Sequence, residues 1–317
     1  MKKYLAFVFC ASLVLVACKK DPKIIESQDS AFSAVLTNYA PKITGQYAEL
    51  SSQTNSLLNL ANSFVVSGEL NDFNLVQEQL KNCRKQWFNV SMFDFGPAES
   101  NDLRLSINTF PIDTAAVSLA IESENFSSLA FDEKGFLAIE WLLHRSNAFE
   151  LFTDGINDAQ EYDALIWYCT DINSRVANVH EIWMNSYQSA FASNTGASAG
   201  SGMSLLVNGY IQDYERLKRQ RLALPLGLLT LGIPLESHVE APYGGYSAEL
   251  MQSQFVSSLL FYQGWDQAVE NGYGLDDAIA SVNATWGEES TPLESVILQR
   301  FNEAQLALSS LNDPFRN

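Results

Sequence analysis

The feature that most constrains this chain is a single carboxylate inside an almost uninterrupted apolar run. Residues 131–145 read FDEKGFLAIEWLLHR, and Glu140 lies in the middle of the apolar part. At helical spacing, Leu137, Glu140, Trp141 and His144 lie along one side of a helix. A buried carboxylate is costly unless it is paired, hydrogen-bonded or bound to a metal. The sequence therefore predicts a buried polar site around Glu140.

The N-terminus has the pattern of a bacterial lipoprotein signal. Lys2 and Lys3 precede an apolar run, residues 4–15, that is shorter than the roughly 20 residues of a transmembrane helix. Small residues then lead to Cys18. We predict that residues 1–17 are a signal peptide and that Cys18 is acylated. The protein is then expected to be anchored by lipid in the cell envelope, at the outer membrane, facing the periplasm or the cell surface. An ordinary cleaved signal with an incidental cysteine is the alternative.

The charge balance restricts the partners of the chain. Its formal net charge is −18, so non-specific binding to nucleic acid or to an anionic membrane surface is excluded. The acidic surface could attract cations or basic partners, or simply be solvated. The membrane is therefore expected as a partner only through the lipid on Cys18.

Two cysteines, Cys83 and Cys169, remain beyond Cys18. In an oxidising compartment they could form a disulfide, and they could equally be free buried thiols. Neither belongs to a CxxC motif, so the cysteines do not indicate a zinc ribbon or a thioredoxin-like centre.

Hydrophobic periodicity predicts an all-α protein made of two packed helical bundles. Apolar residues recur at i, i+3 and i+4, and no extended run alternates with period two. The pattern predicts, among other helices, one long helix from Ala159 to Ala192 and a helix at 275–285. Residues 18–29 are polar and are expected to form a flexible tether. Residues 30–195 would form an N-terminal helical domain and residues 200–317 a C-terminal one. The linker between them is predicted at 193–202, SNTGASAGSG.

The sequence offers few groups for catalysis. It contains no phosphate-binding glycine loop, no HExxH and no GxSxG. Its three histidines are His144, His180 and His238, which lie in separate segments. A three-histidine zinc site would need all of them.

Residues 131–145 contain a motif that resembles one of the imelysin family. Its members are bacterial periplasmic or lipid-anchored proteins that are classed with metallopeptidases and linked to iron uptake. Gly135-Phe136-Leu137-Ala138-Ile139-Glu140 is similar to the GxHxxE motif of that family. Further family-like segments follow in order: Trp87 with Gly96-Pro97, Pro111-Ile112-Asp113, Leu222 to Gly227, and Glu240-Ala241-Pro242-Tyr243 with Ser247.

The resemblance implies a two-domain helical fold and a site where these motifs meet. We expect Glu140 to contact the 236–247 segment, Gly96-Pro97 or residues 111–113. The candidate ligand-binding residues are Gly96, Pro97, Asp113, Gly135, Leu137, Glu140, Glu240, Pro242, Tyr243 and Ser247. It also implies iron or another divalent metal as a candidate cofactor, and iron-uptake or other envelope proteins as partners.

One departure from the family pattern bears on chemistry. Leu137 stands where the family has histidine, and leucine can neither bind a metal nor move a proton. His144, one turn beyond Glu140, and His238 are the candidates for a displaced metal ligand. We therefore expect a binding protein that is not catalytic, and the resemblance implies a role in iron or haem acquisition. The alternative is a metallopeptidase that uses Glu140 with a displaced histidine. In a purely structural role, Glu140 would instead join two helical layers through hydrogen bonds.

Overall fold

The structure of the chain is a computed structural model in which residues 22–156, 158–265, 273–313 and 315 are described, with side chains from Ser30 onwards. Cys18 and the predicted signal peptide, residues 1–17, lie outside these residues. No helix of the described part is both long and apolar enough to cross a membrane.

The described residues fold almost entirely into helices, which confirms the predicted all-α class. The α-helices are α1 (Pro22–Ser67), α2 (Leu70–Trp87), α3 (Pro97–Ser100), α4 (Leu103–Ile107), α5 (Thr114–Glu122), α6 (Phe136–His144), α7 (Ala148–Leu151), α8 (Asp158–Ile182), α9 (Gln188–Ser193), α10 (Gly202–Arg216), α11 (Ser247–Tyr262), α12 (Leu275–Ser281) and α13 (Leu293–Leu308). Short 3₁₀ segments lie at Ser91–Phe93, Phe131–Glu133 and Glu236–His238, and π-helical segments at Trp183–Tyr187 and Leu217–Ala223.

Two helices differ in extent from what the sequence pattern suggests. α1 begins at Pro22, so most of the segment expected as a flexible tether is helical here. Proline is favoured in the first turn of a helix because its missing N–H has no partner to lose there. The long helix expected from Ala159 to Ala192 is present as α8 and α9, joined by the π-helical segment Trp183–Tyr187.

A small hairpin interrupts the region expected to be helical at 275–285. α12 ends at Ser281, and β1 (Thr285–Trp286) pairs antiparallel with β2 (Thr291–Pro292) before α13 begins. Asn283 and Ser290 have φ values of +50° and +53°, a backbone conformation that a helix cannot contain. This hairpin is the sole strand pairing in the described part of the chain.

The hydrophobic core is continuous across the predicted linker. α1 packs along α2 and α8, and it also meets α10 and α12 from the C-terminal half. The Tyr39 ring lies 4.6 Å from the Phe261 ring, and the Tyr39 hydroxyl donates to the main-chain oxygen of Phe261. Gly202, at the start of α10, is buried and its N–H donates to the Asn194 carbonyl at 2.9 Å. A division into two domains near 193–202 stays a prediction.

Both remaining cysteines lie in this core as free thiols. Cys83 is on α2 and Cys169 on α8, and both are buried. Burial raises the pKa of the Cys83 thiol to about 12, so this sulfur stays protonated and unreactive at neutral pH.

Candidate functional site

Glu140 lies on α6, the short apolar helix predicted from the sequence. α6 begins just after Gly135, whose φ of +84° is accessible to glycine at little cost. A Cβ atom at Gly135 would lie 2.6 Å from the carbonyl oxygen of Ile107. The glycine therefore lets the start of α6 pack against the end of α4. Glu140 itself has no solvent exposure.

Every oxygen of the Glu140 carboxylate has partners. Oε1 accepts hydrogen bonds from the backbone N–H groups of Tyr243 and Gly244, each at 2.9 Å. Oε2 forms an ion pair with Arg84 and accepts a hydrogen bond from the Tyr246 hydroxyl at 3.4 Å. The expected contact between Glu140 and the 236–247 segment is present, and it is made mainly by backbone groups.

Arg84 links Glu140 to a second buried carboxylate. It projects from α2 with no solvent exposure, and its guanidinium donates to the main-chain oxygen of Glu240. The Nη2 atom of Arg84 also lies 3.5 Å from Oε1 of Glu240. The guanidinium carbon is 5.6 Å from the centre of the Tyr246 ring, within the range of a cation–π contact. One arginine therefore contacts both family-motif glutamates.

Glu240 is held by two further side chains. Its Oε1 accepts a hydrogen bond from Nδ2 of Asn108 at 2.8 Å, and its Oε2 accepts one from Nε of Arg221 at 2.8 Å. The Arg221 guanidinium lies 5.0 Å from the centre of the Phe88 ring. These four charged residues form a chain of alternating sign, Glu140–Arg84–Glu240–Arg221, which we call the charge cluster. Its formal charge is zero, which is the condition under which buried ions are tolerated.

Asp213, on α10, is a buried acid next to this cluster. It is 1% exposed, and its Oδ2 accepts a hydrogen bond from Gln254 at 2.7 Å. Burial raises the pKa of Asp213, while the positive charge of Arg221 and the hydrogen bond from Gln254 act in the opposite direction. The sequence alone could not separate this buried acid from its exposed neighbours on the same helix.

Of the remaining motif residues, those at 242–247 lie at the cluster and those at 96–113 do not contact Glu140. Ser247 begins α11, and its hydroxyl accepts a hydrogen bond from the Ala241 N–H at 2.9 Å, which fixes the loop through Pro242.

Gly96 and Pro97 start α3, where a Cβ atom on Gly96 would overlap the Tyr187 ring. Asp113 is exposed and caps α5 by accepting from the N–H groups of Ala115 and Ala116 at 3.0 Å.

The two candidate displaced histidines make contacts of their own. Nδ1 of His144 lies 3.4 Å from Nε2 of Gln77, and its Nε2 is buried without a hydrogen-bond partner among the described residues. Burial and the nearby charge of Arg84 lower the pKa of His144 to about 4. His238 is half-buried, and its Nδ1 lies 3.2 Å from the Ser237 hydroxyl.

The residues present do not fit a metal centre at Glu140. Within the described part of the chain, no three His, Cys, Asp or Glu side chains are grouped so as to hold a metal ion. Leu137 is fully buried, and the Glu140 oxygens are taken by Arg84 and by backbone N–H groups. A cation at this carboxylate would have to displace a guanidinium that already neutralises it.

Arg84, Asn108 and Arg221 lie outside every segment that the sequence indicated for the site, and Gly244 and Tyr246 lie inside the 236–247 segment but were not among its candidate residues. A signal for Arg84 exists, because it follows Leu80 by four residues and precedes Trp87 by three, so it shares the buried face of α2. Asn108 lies in the loop after α4 and Arg221 in a π-helical segment. No periodicity marks either of these two as buried.

Comparison with known proteins gives one family and two similar folds. The imelysin family model matches residues 43–317. Among curated proteins, none matches the chain. A crystal structure of an iron-regulated protein A precursor from Parabacteroides distasonis aligns with a TM-score of 0.77 and 19% identity, covering 91% of this chain and 88% of that one. An imelysin-like protein from Psychrobacter arcticum aligns with a TM-score of 0.71 and 15% identity, covering 90% of this chain and 86% of that one. At these identities the two structures show the shared fold.

Proposed function

Because this chain belongs to the imelysin family, we propose that it is a cell-envelope binding protein with an iron-related role and no peptidase activity. One observation carries the second part of this proposal. The family-motif carboxylate, Glu140, is neutralised by Arg84, and both side chains are fully buried. Arg84 thereby supplies the positive charge that a bound metal would otherwise bring to this carboxylate.

The chemistry of peptide hydrolysis supports the same conclusion. A catalytic zinc usually has three protein ligands and an open position for water, and a general base acts on that water. Glu140 would have to act as a zinc ligand or as the general base while both of its oxygens are already engaged in hydrogen bonds or in the ion pair with Arg84. Leu137 supplies no ligand one turn earlier. In this proposal Glu140 instead joins α6 to α2 and to the loop before α11.

The iron-related part rests on likeness. One structural neighbour is called an iron-regulated protein A precursor, and that description belongs to that protein. We extend the iron-related role to this chain as a proposal, together with attachment to the membrane through Cys18 and contact with other envelope proteins. None of these three depends on peptidase activity.

A peptidase assay with a matched variant tests the absence of catalysis. The purified chain would be incubated with an unfolded protein substrate, with and without added Zn²⁺, beside Glu140→Gln. The proposal expects no cleavage above the buffer control in any sample. Zinc-dependent cleavage by the parent that is lost in Glu140→Gln would establish the metallopeptidase alternative, with His144 as the first candidate for the missing ligand.

A further inference from the structure

A large apolar cavity lies in the C-terminal half of the chain, lined by none of the residues of the charge cluster. Its volume is about 790 Å³, and its walls come from α1, α10, α11, α12, the β-hairpin and α13. Aliphatic and aromatic side chains dominate the lining, among them Val207, Ile211, Ile279, Ile297 and Phe301. Cavities of this size and composition are typical of small-molecule sites.

The edge of the cavity leaves apolar surface in contact with water. Ile211 is 53% exposed, Val282 47% and Trp286 64%. All three line the same cavity. Removing apolar surface from water is favourable by about 25 cal/mol for each Å². A ligand with an apolar body would therefore bind more tightly by covering these side chains.

The few polar groups of the lining are suited to an acceptor. Tyr210, Tyr214 and Tyr262 present phenol groups, and burial raises the pKa of each, so they remain neutral donors. Within the described part of the chain, the hydroxyls of Tyr210 and Tyr214 have no hydrogen-bond partner among protein groups, whereas that of Tyr262 reaches the Glu294 carbonyl at 3.4 Å.

Both charged side chains of the lining form exposed ion pairs with a residue three positions away. Arg300 is the one cation among the described lining residues, and it is 72% exposed in a pair with Glu303 at 2.7 Å. Glu215, the acid of the lining, is paired with Lys218. A single negative group on a ligand could therefore replace Glu303 at Arg300. A polyanion would be repelled by a chain whose formal charge is −18.

From these observations we propose that the cavity binds a long-chain monocarboxylate, with its hydrocarbon between α10, α12 and α13 and its carboxylate near Arg300. The hydrocarbon would cover the exposed edge residues. The carboxylate would accept from Arg300 and from a tyrosine hydroxyl. This inference is independent of the proposed role in the envelope and of the state of Glu140.

The test uses cis-parinaric acid, a fluorescent C18 carboxylate, titrated into the chain from Lys19 onwards, which contains every described residue. We expect saturable binding with one site. Ala278 lines the cavity from α12, so Ala278→Trp should fill it and weaken binding roughly tenfold or more. Ala280→Trp is the matched control, because Ala280 is exposed on the same helix and does not line the cavity. It should bind as the parent does.

A second pair of variants examines the carboxylate. Arg300→Gln should weaken cis-parinaric acid about twofold to fivefold, because exposed ion pairs are weak. It should leave the affinity for the methyl ester unchanged. Arg219→Gln, at an exposed arginine outside the lining, should change neither.

The outcomes that overturn the proposal are specific. They are no saturable binding by the parent, or equal binding by Ala278→Trp and Ala280→Trp when circular dichroism shows both folded. If Ala278→Trp does not fold, Val207→Phe fills the same cavity from α10 and takes its place. Equal loss of acid and ester in Arg300→Gln would overturn the placement of the carboxylate.

Discussion

The guanidinium of Arg84 forms an ion pair with the carboxylate of Glu140, and neither side chain has any exposure to solvent. The pair joins α2 to α6 in the interior of the molecule. Two buried charges lose their hydration on folding, so each depends on the other for compensation. The charge cluster is therefore more sensitive to the loss of one partner than to the loss of both.

Removing the charge of Glu140 should expose this dependence. In Glu140→Gln the amide oxygen can still accept from Tyr243 and Gly244, but Arg84 loses the nearer of its two carboxylate partners and keeps only Glu240 at 3.5 Å. We expect the free energy of unfolding to fall by about 3–5 kcal/mol in urea titrations. The double variant Arg84→Met/Glu140→Gln should lose less than the sum of the two single variants. A loss below about 0.5 kcal/mol in Glu140→Gln, the level of an ordinary surface change, would contradict the assignment.

Acid should destabilise the fold through His144. Its pKa is lowered from 6.5 to about 4 by burial and by Arg84, so the folded state binds the proton less well than the unfolded state. The contribution of neutral His144 is thus fully present above pH 6.5 and is lost as the pH falls towards 4. Because His144 is partly exposed, solvent screening reduces the free energy that corresponds to this pKa shift, and the loss of stability should reach roughly 2–3 kcal/mol.

The histidine contribution can be isolated by comparing unfolding curves at pH 7.5 and pH 5. His144→Gln should lose less stability between these two values than the parent. The comparison is needed because protonation of Asp213, whose pKa is raised, acts in the opposite sense. If parent and variant lose stability in parallel, His144 is not the group responsible.

Two glycines form a matched pair for the packing at the start of α6. Alanine at position 135 would place a Cβ against the Ile107 carbonyl and would have to adopt the positive φ of Gly135. Gly135→Ala should therefore lower the free energy of unfolding by about 2–4 kcal/mol. Gly45 lies within α1 with open space around its Cβ position, so Gly45→Ala should stabilise the fold by about 0.5–1 kcal/mol. Thermal melts of both variants check this. Equal effects at the two positions would mean that Gly135 is not required for the close approach.

The anchor prediction concerns Cys18, outside the described residues. Cys18→Ser should move the protein from the membrane fraction to the soluble periplasmic or extracellular fraction. A multiply acylated cysteine holds a protein firmly at a bilayer, and a serine at this position cannot be acylated in the same way. Fractionation followed by immunoblotting measures the change. A serine variant that still sediments with membranes after a high-salt wash would refute the lipoprotein assignment.

The sequence was sufficient for the fold class and for the burial of Glu140, and the family resemblance added Glu240 and Tyr243. Helical periodicity is a local property, so α2, α6 and the long α8–α9 helix could be predicted from their apolar spacing. Glu140 could be predicted as buried because its neighbours along the chain are apolar. Its need for partners followed from the cost of burying a charge.

The rest of the site depends on tertiary placement. Arg84 and Glu240 are 156 residues apart, and no local pattern indicates that they meet. Tyr243 and Gly244 act through backbone N–H groups, which every residue but proline has, so side-chain identity gave no sign of this role. Asp113 belongs to a family-like segment and is therefore a candidate site residue, yet its carboxylate caps α5 at the surface. A shared motif can mark a residue that shapes the backbone.

The most direct test of the central claim is an isothermal titration of the purified chain with Zn²⁺, beside Glu140→Gln. The claim is that Arg84 already occupies the place of a counter-cation at Glu140. It predicts that the parent and Glu140→Gln bind Zn²⁺ to the same extent. One equivalent of Zn²⁺ bound by the parent and lost in Glu140→Gln would contradict it, because the carboxylate would then be free to bind metal in solution.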